Sequence, residues 1–87
     1  MKTKDLILDQ TCGACPEQYD VYFEGNNIGY LRLRHGYFRA EYKGDVVYEA
    51  YPQGDGCFYS EERDLYLKKA RKAIKKAYKK DDNRISI

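Results

Sequence analysis

The residues of this chain that could do chemistry are three cysteines and a single histidine. Cys12 and Cys15 have the Cys-x-x-Cys spacing of half a zinc site, and Cys57 with His35 could complete a Cys₃His ligand set. A strong zinc signature pairs two such halves, whereas the second half here is two single residues far apart in the sequence. We therefore favour free thiols in a reducing cytosol over a zinc site, and we expect no other cofactor. The odd number of cysteines also argues against a disulfide framework.

Catalytic chemistry has little support in the sequence. The Cys-Gly-Ala-Cys segment resembles the dithiol of thioredoxin-type proteins, in which a helix that begins at the dithiol lowers the thiol pKa. In this chain Pro16 and a predicted strand follow instead, so that helix is missing. Ser60 suits a helix N-cap better than a nucleophile. No glycine-rich loop opens a helix within a βαβ unit. The sequence predicts a protein that binds a partner and is not an enzyme.

Positive charge is concentrated in the C-terminal segment, which is the first candidate binding site. Residues 60–87 hold ten Lys/Arg and five Asp/Glu, whereas residues 1–59 hold six and nine. The run from Leu65 to Lys80 contains eight Lys/Arg and no acid, a density that could neutralise several phosphates. A solvated face that keeps a small protein soluble is the alternative explanation. Helical spacing places these side chains on one face: Lys68, Lys69, Lys72, Lys75, Lys76 and Lys79, with Arg71 and Lys80 at its borders.

A helix must position these lysines. Ser60 followed by Glu61 and Glu62 predicts an N-cap and an acidic first turn, and the helix is expected to run to about Lys80. Residues 81–87 would form a tail, either frayed or adding an edge strand at 84–87. The apolar stripe of the helix comprises Tyr66, Leu67, Ala70, Ala73, Ile74, Ala77 and Tyr78.

A β-ribbon must position the second candidate site. His35-Gly36 predicts a two-residue hairpin turn that sets Arg34 opposite Tyr37. Matching apolar residues across the neighbouring turns predicts three-residue loops at 25–27 and 43–45. The predicted strands span residues 19–24, 28–34, 37–42 and 46–51, and residues 5–10 could add a fifth. The predicted inner face comprises Tyr19, Val21, Phe23, Leu31, Leu33, Phe38, Ala40, Tyr42, Val46, Tyr48 and Ala50.

The opposite face of the ribbon carries arginines and tyrosines. The predicted registers put Asp20, Arg32, Arg39 and Glu49 in one row, a charge ladder in which the outer acids neutralise the two arginines. Arg34 has no acid in its row and is therefore the arginine most available to a partner. Aromatic side chains beside arginines can stack nucleic-acid bases. The candidate binding residues of this face are Arg34, Tyr37, Tyr51, His35, Tyr22 and Tyr30.

These elements predict one α+β domain over residues 1–87, in which a four- or five-stranded antiparallel meander packs against one C-terminal helix. The stretch YDVYFEGNNIGYLRLRHGYFRAEY, with GDGCF and the lysine-rich helix after it, resembles short uncharacterised proteins of bacterial phages and mobile elements. That resemblance implies an accessory or counter-defence binding role and transfers no site residues.

Three functional hypotheses follow from the residues. The first is a nucleic-acid-binding module that uses the basic helix face and the Arg34, Tyr37 and Tyr51 end of the sheet. The second is a factor that binds a host or phage protein, or a second copy of itself, through the tyrosine-rich sheet face. The third is a small zinc-stabilised domain. No apolar run is long enough for a membrane span and the N-terminus does not resemble a signal peptide, so we expect a cytoplasmic location.

Overall fold

The computed structural model describes residues 2–12 and 15–85 of the chain, with side chains as far as residue 82. The elements are a 3₁₀ turn (Thr3–Asp5), β1 (Ile7–Gln10), β2 (Glu17–Phe23), β3 (Asn26–Arg34), β4 (Tyr37–Tyr42), β5 (Asp45–Ala50) and α1 (Ser60–Ile85). The strands form one antiparallel sheet in chain order, with β1 and β5 at its two edges. The predicted α+β fold is confirmed, and the segment at residues 5–10 supplies the fifth strand.

Three turns of the same kind connect β2 to β5. Each has two residues, the second a glycine, and both have positive φ: Glu24-Gly25, His35-Gly36 and Lys43-Gly44. This backbone is that of the type I′ hairpin turn, which matches the twist of the flanking strands. The predicted His35-Gly36 turn and the β3–β4 register derived from it are confirmed. The three-residue loops predicted at 25–27 and 43–45 are wrong.

A β-bulge beside each of the other two turns explains that error. Ile28 is the extra residue in β3, and Val47 is the extra residue in β5. Each bulge restores the pairing of apolar with apolar residues that a plain two-residue turn would invert. Consequently Val47 packs against the core, whereas Val46, predicted to point inward, is 48% exposed.

Helix α1 covers the inner face of the sheet, as its apolar stripe predicts. Ala70 and Ile74 are fully buried together with the inner residues of β3 and β4. The helix continues to Ile85, so the predicted tail is helical as far as that residue and forms no edge strand at 84–85; residues 86–87 lie outside the described part. Among the described residues, no helix is long and apolar enough to cross a membrane. The remaining buried apolar side chains are Leu6, Tyr19, Val21, Ile28, Tyr42 and Phe58.

Candidate functional site

The lysines of α1 form one surface on the side of the helix that faces away from the sheet. Because Ala70 and Ile74 are buried against the strands, residues half a turn away from them point outward. None of the seven lysines forms an ion pair with another described residue. We call this surface the lysine face; it comprises Lys68, Lys69, Lys72, Lys75, Lys76, Lys79 and Lys80, all exposed except Lys75, which is partly exposed.

Arg71 does not join the lysine face, although its position at the border suggested that it could. Its Nη1 atom donates hydrogen bonds to the carbonyl oxygens of Thr3, at 3.2 Å, and Leu6, at 2.6 Å. These bonds fasten the segment before β1 to the middle of α1. Arg71 is therefore a structural residue that joins the N-terminal segment to the helix.

The predicted Arg34 patch forms at the turn between β3 and β4. The rings of Tyr37 and Tyr51 lie 5.6 Å apart between centroids, and Arg34 is opposite Tyr37 in the sheet. The Nε atom of Arg34 donates to Nε2 of His35 at 3.2 Å. Tyr51 is 75% exposed, so a partner could cover most of its ring. We call these four residues the His35-end patch.

The loop of residues 52–59 supports this patch. The Gly36 N–H donates to the Asp55 carbonyl at 2.7 Å, which joins the hairpin turn to the loop. The Glu62 carboxylate accepts three backbone N–H groups of the loop, those of Gln53, Gly54 and Tyr59. Loss of water alone would raise the pKa of Glu62, but these hydrogen bonds lower it below its ordinary value. The loop is therefore a fixed platform beside the patch.

Glu62 also closes the start of α1, a role predicted for Ser60. The Ser60 hydroxyl donates to Glu61 at 3.3 Å and caps no backbone group. The Tyr59 carbonyl accepts the N–H groups of Glu62 and Arg63, while the Glu62 side chain returns to the Tyr59 N–H. A glutamate three residues after the capping position is a known signature of this arrangement. The predicted cap was thus one residue too far along the chain.

A buried carboxylate, Glu17, ties the loop to β2 and α1. It is 2% exposed and accepts hydrogen bonds from Arg63, from the Tyr19 hydroxyl and from the Phe58 N–H. Burial alone would raise the pKa of Glu17, but these donors, Arg63 foremost, lower it; burial and the Glu17 carboxylate raise the pKa of Tyr19. No local sequence pattern predicts this cluster, because Arg63 lies 46 residues away from Glu17.

Cys15 and Cys57 form a disulfide across 42 residues, with their Cα atoms 5.4 Å apart. The predictions of free thiols and against disulfide bonding are therefore wrong for these two, while Cys12 is free and partly exposed. Bonded sulfurs are not available as the zinc ligands hypothesised with His35. Within the described residues, no group of three or more His, Cys, Asp or Glu is placed to hold a metal ion. The disulfide fixes loop 52–59 to the start of β2.

In the charge ladder predicted on the outer face of the sheet, Arg32, Arg39 and Glu49 lie in one row as predicted, but Asp20 does not. The two-residue turn and the bulge in β3 together place its pairing with β2 two residues away from the predicted register, so that Gln18 lies opposite Arg32 and Asp20 lies opposite Tyr30. The Tyr30 hydroxyl donates to Gln18 at 2.9 Å. The Nε atom of Arg32 is buried and has no acceptor among the described residues. Arg32 therefore lacks the acid that the sequence assigned to it.

Arg39, at the centre of this face, has partners on the face itself. Nε of Arg39 donates to Glu41 on the same strand at 2.5 Å, and the guanidinium lies 5.8 Å from the centre of the Tyr30 ring. Tyr22 lies farther along the face, opposite Ile7 of β1. Tyr22 and Tyr30 are thus separate from the His35-end patch, although the sequence grouped them as one candidate surface.

The lysine face and the His35-end patch lie on opposite sides of the domain. Leu33 and Phe38 point into the core beneath α1, so their neighbours Arg34 and Tyr37 point out of the other side of the sheet. The lysines point away from the sheet on the helix side. The two surfaces therefore cannot form the single nucleic-acid site that the sequence suggested, and we treat them as separate candidates.

Comparisons with protein-family models, with curated proteins and with solved structures find no match to this chain. The resemblance to phage and mobile-element proteins therefore stays a prediction. The lysine face and the His35-end patch are the two features of the described structure that indicate a function.

Proposed function

We propose that this protein is a small non-enzymatic module that binds nucleic acid through the lysine face of α1. The observation that carries the proposal is the set of seven lysines on one outward face without an ion-pair partner among the described residues. Residues 68–80 cover about 18 Å of helix at 1.5 Å per residue. That length spans several phosphates of a duplex strand, so binding would release several counterions.

A binding role is preferred to catalysis because the carboxylates with a lowered pKa already have structural partners. Glu17 is held by Arg63 and the neighbouring donors, and Glu62 by the loop N–H groups. A catalytic acid or base needs a pKa near the working pH and access to substrate. A lowered pKa in a carboxylate that already accepts several hydrogen bonds fits a structural role.

Fluorescence anisotropy with labelled duplex DNA and single-stranded RNA at about 50 and 200 mM salt tests the proposal. We expect binding that weakens with salt, and the triple variant K68Q/K72Q/K79Q should reduce the slope of log affinity against log salt by up to about 3. The matched comparison is K68Q/K72Q with the control K2Q/K4Q, which removes the same charge at exposed positions outside the lysine face and the His35-end patch. Absence of binding at the lower salt, or an equal loss in the control, would contradict the proposal.

A second candidate function is protein binding through the His35-end patch, with a host or phage protein or a second copy as the partner. The observation that favours it is the contact between Tyr37, partly exposed, and Tyr51, exposed, beside Arg34. A loop that a disulfide and two carboxylates hold in place supports this pair. Tyrosine and arginine on a rigid support are typical of interface centres. Capture of a partner from nuclease-treated lysate should then be lost in Y37A/Y51A and retained in K68Q/K72Q/K79Q.

A further inference from the structure

A groove runs between the edge strand β5 and the C-terminal half of α1. Its main part has a volume of about 420 Å³, and an adjoining hollow of about 220 Å³ shares Val47, Ala77 and Lys80 with it. The floor is apolar, because Val47 lies on the strand side and Ala73 and Ala77 lie on the helix side. Lys76 and Lys80 line the helix side beside these alanines.

Both sides of α1 have a hollow, but their linings differ: the one toward β1, of about 580 Å³, includes the 3₁₀ turn and Arg71. Toward β1, the 3₁₀ turn is fastened by Arg71, and Leu6 is buried against the core. Toward β5, the small side chains of Ala73 and Ala77 leave space. No described strand pairs with the outer edge of β5, so its backbone groups there are available for hydrogen bonds. The edge of β5 is thus free among the described strands and lies beside a groove with lysines on its helix side.

We propose that this groove binds an extended, acidic segment of a partner protein, which adds to β5 as a sixth strand. Strand addition uses the backbone groups of a sheet edge for affinity and pockets for alternate side chains for specificity. Every second side chain of the added strand would enter the groove, where small apolar groups fit over Val47 and the alanines. Asp or Glu at other groove-facing positions, two residues away along the same strand, would meet Lys76 and Lys80, which have no ion pair among the described residues.

Charge also decides between an acidic partner and a second copy of this chain. Antiparallel pairing of two β5 strands about a two-fold axis would place both helices on the same side of one continuous sheet. Lys76 and Lys80 of one copy would then approach the same residues of the other, and like charges repel. At the far end of the groove, Lys43 is already paired with Asp81 at 2.9 Å. Asp45 of β5 also lines that end, so the acids of an occupant are expected beside Lys76 and Lys80 in the main part of the groove, which has no acidic residue in its lining.

A displayed library of six-residue peptides, matching β5 in length, tests the proposal. We expect selection on the intact protein to enrich peptides that carry small apolar residues and Asp or Glu at positions two residues apart, which share the groove-facing side of the strand. A73Q, which fills the groove without changing charge, should weaken the selected peptide by about tenfold or more. The matched control is L65Q, a substitution at an exposed position of the same helix away from the groove. Enrichment of no sequence class, or equal binding by A73Q and L65Q, would overturn the proposal.

A second pair of measurements keeps the test independent of folding. K76Q/K80Q changes exposed side chains and should lower the affinity for the acidic peptide to that of its Asn/Gln analogue. If K76Q/K80Q preferred the acidic peptide over its Asn/Gln analogue as strongly as the parent protein does, the role of the lysines would be overturned. Sedimentation that shows a dimer abolished by A73Q would instead assign the groove to a second copy. Nucleic-acid binding by K68Q/K72Q/K79Q is a separate readout, because none of those residues lines the groove.

Discussion

Arg63 holds Glu17 with two nitrogens: Nε donates to one carboxylate oxygen at 2.9 Å and Nη2 to the other at 3.1 Å. This pair joins the first turn of α1 to the first residue of β2. Nη2 also donates to the Phe58 carbonyl at 3.2 Å, and the Phe58 N–H donates back to Glu17. The helix, the strand and the loop that supports the His35-end patch therefore meet at one carboxylate.

Removing Arg63 should destabilise the protein more than neutralising Glu17. R63M leaves a carboxylate that is 2% exposed without its cation, so we expect a loss of about 3 kcal/mol or more in the free energy of unfolding. E17Q leaves Arg63, whose side chain is 38% exposed and can be hydrated, so a loss of about 1–2 kcal/mol is expected. Urea unfolding measures both. R34M, at an exposed position, is the control and should change stability by less than about 0.5 kcal/mol; an R63M protein as stable as R34M would contradict the prediction.

Stability should fall on acidification, and Glu17 should account for part of the fall. Its pKa is lower in the folded protein than the ordinary value of 4.5, because the hydrogen bonds from Arg63, Tyr19 and Phe58 outweigh burial. The stabilisation is complete above pH 4.5 and is lost as the pH falls through the folded-state pKa. Urea unfolding over a pH series should show a shallower loss for E17Q. Glu62 has the same sign and should leave a residual slope; identical slopes for E17Q and the parent protein would contradict the assignment.

The Cys15–Cys57 bond should contribute strongly to stability. Closing a loop of 42 residues corresponds to about 4 kcal/mol of chain entropy in the unfolded state. C15S/C57S, or reduction of the parent protein, should therefore lower the free energy of unfolding by about 3–4 kcal/mol, whereas C12S should change it little. Mass spectrometry after alkylation under denaturing conditions should show one modified cysteine without reductant and three with it. Three modified cysteines without reductant would show that the bond is absent.

Gly29 should not tolerate even a methyl group. A Cβ at this position would lie 2.7 Å from the Glu41 carbonyl oxygen and 3.2 Å from Cδ1 of Ile74. G29A should therefore cost about 1–3 kcal/mol through overpacking. I74V shortens the second obstructing side chain, so G29A/I74V should be more stable than the sum of the single losses predicts. Strict additivity, or no loss in G29A, would show that the helix does not approach β3 this closely.

Hydrophobic periodicity was enough to predict the layers of this fold. Alternation along β3 and β4 identifies Leu31, Leu33, Phe38 and Ala40 as core, and all four are at most 1% exposed. The register of this pair was predictable because its two-residue turn joins two strands without a bulge. The registers of the other two hairpins were not, because an extra residue in a strand and an extra residue in a turn both keep the apolar side chains on the inner face. Only the bulges at Ile28 and Val47 distinguish them.

The candidate surfaces show the same division. The lysine face followed from helical spacing alone, and the contact between Tyr37 and Tyr51 agrees with the predicted strand order. The two contacts that hold the loop behind the His35-end patch, the disulfide and the Glu17–Arg63 ion pair, could not be predicted from the sequence. Cys15 and Cys57 are 42 residues apart, and Arg63 lies 46 residues after Glu17.

The sequence by itself therefore determined which side chains form the apolar layer, that strands adjacent in the chain pair in the sheet, and where the positive charge is concentrated. These properties depend on residues a few positions apart, for which backbone periodicity sets the geometry. The tertiary structure alone decided that α1 turns its lysines away from the His35-end patch, that Cys15 bonds Cys57, and that β5 leaves a groove under the helix. Each of these depends on how segments far apart in the sequence pack together, and local periodicity contains no information about such packing.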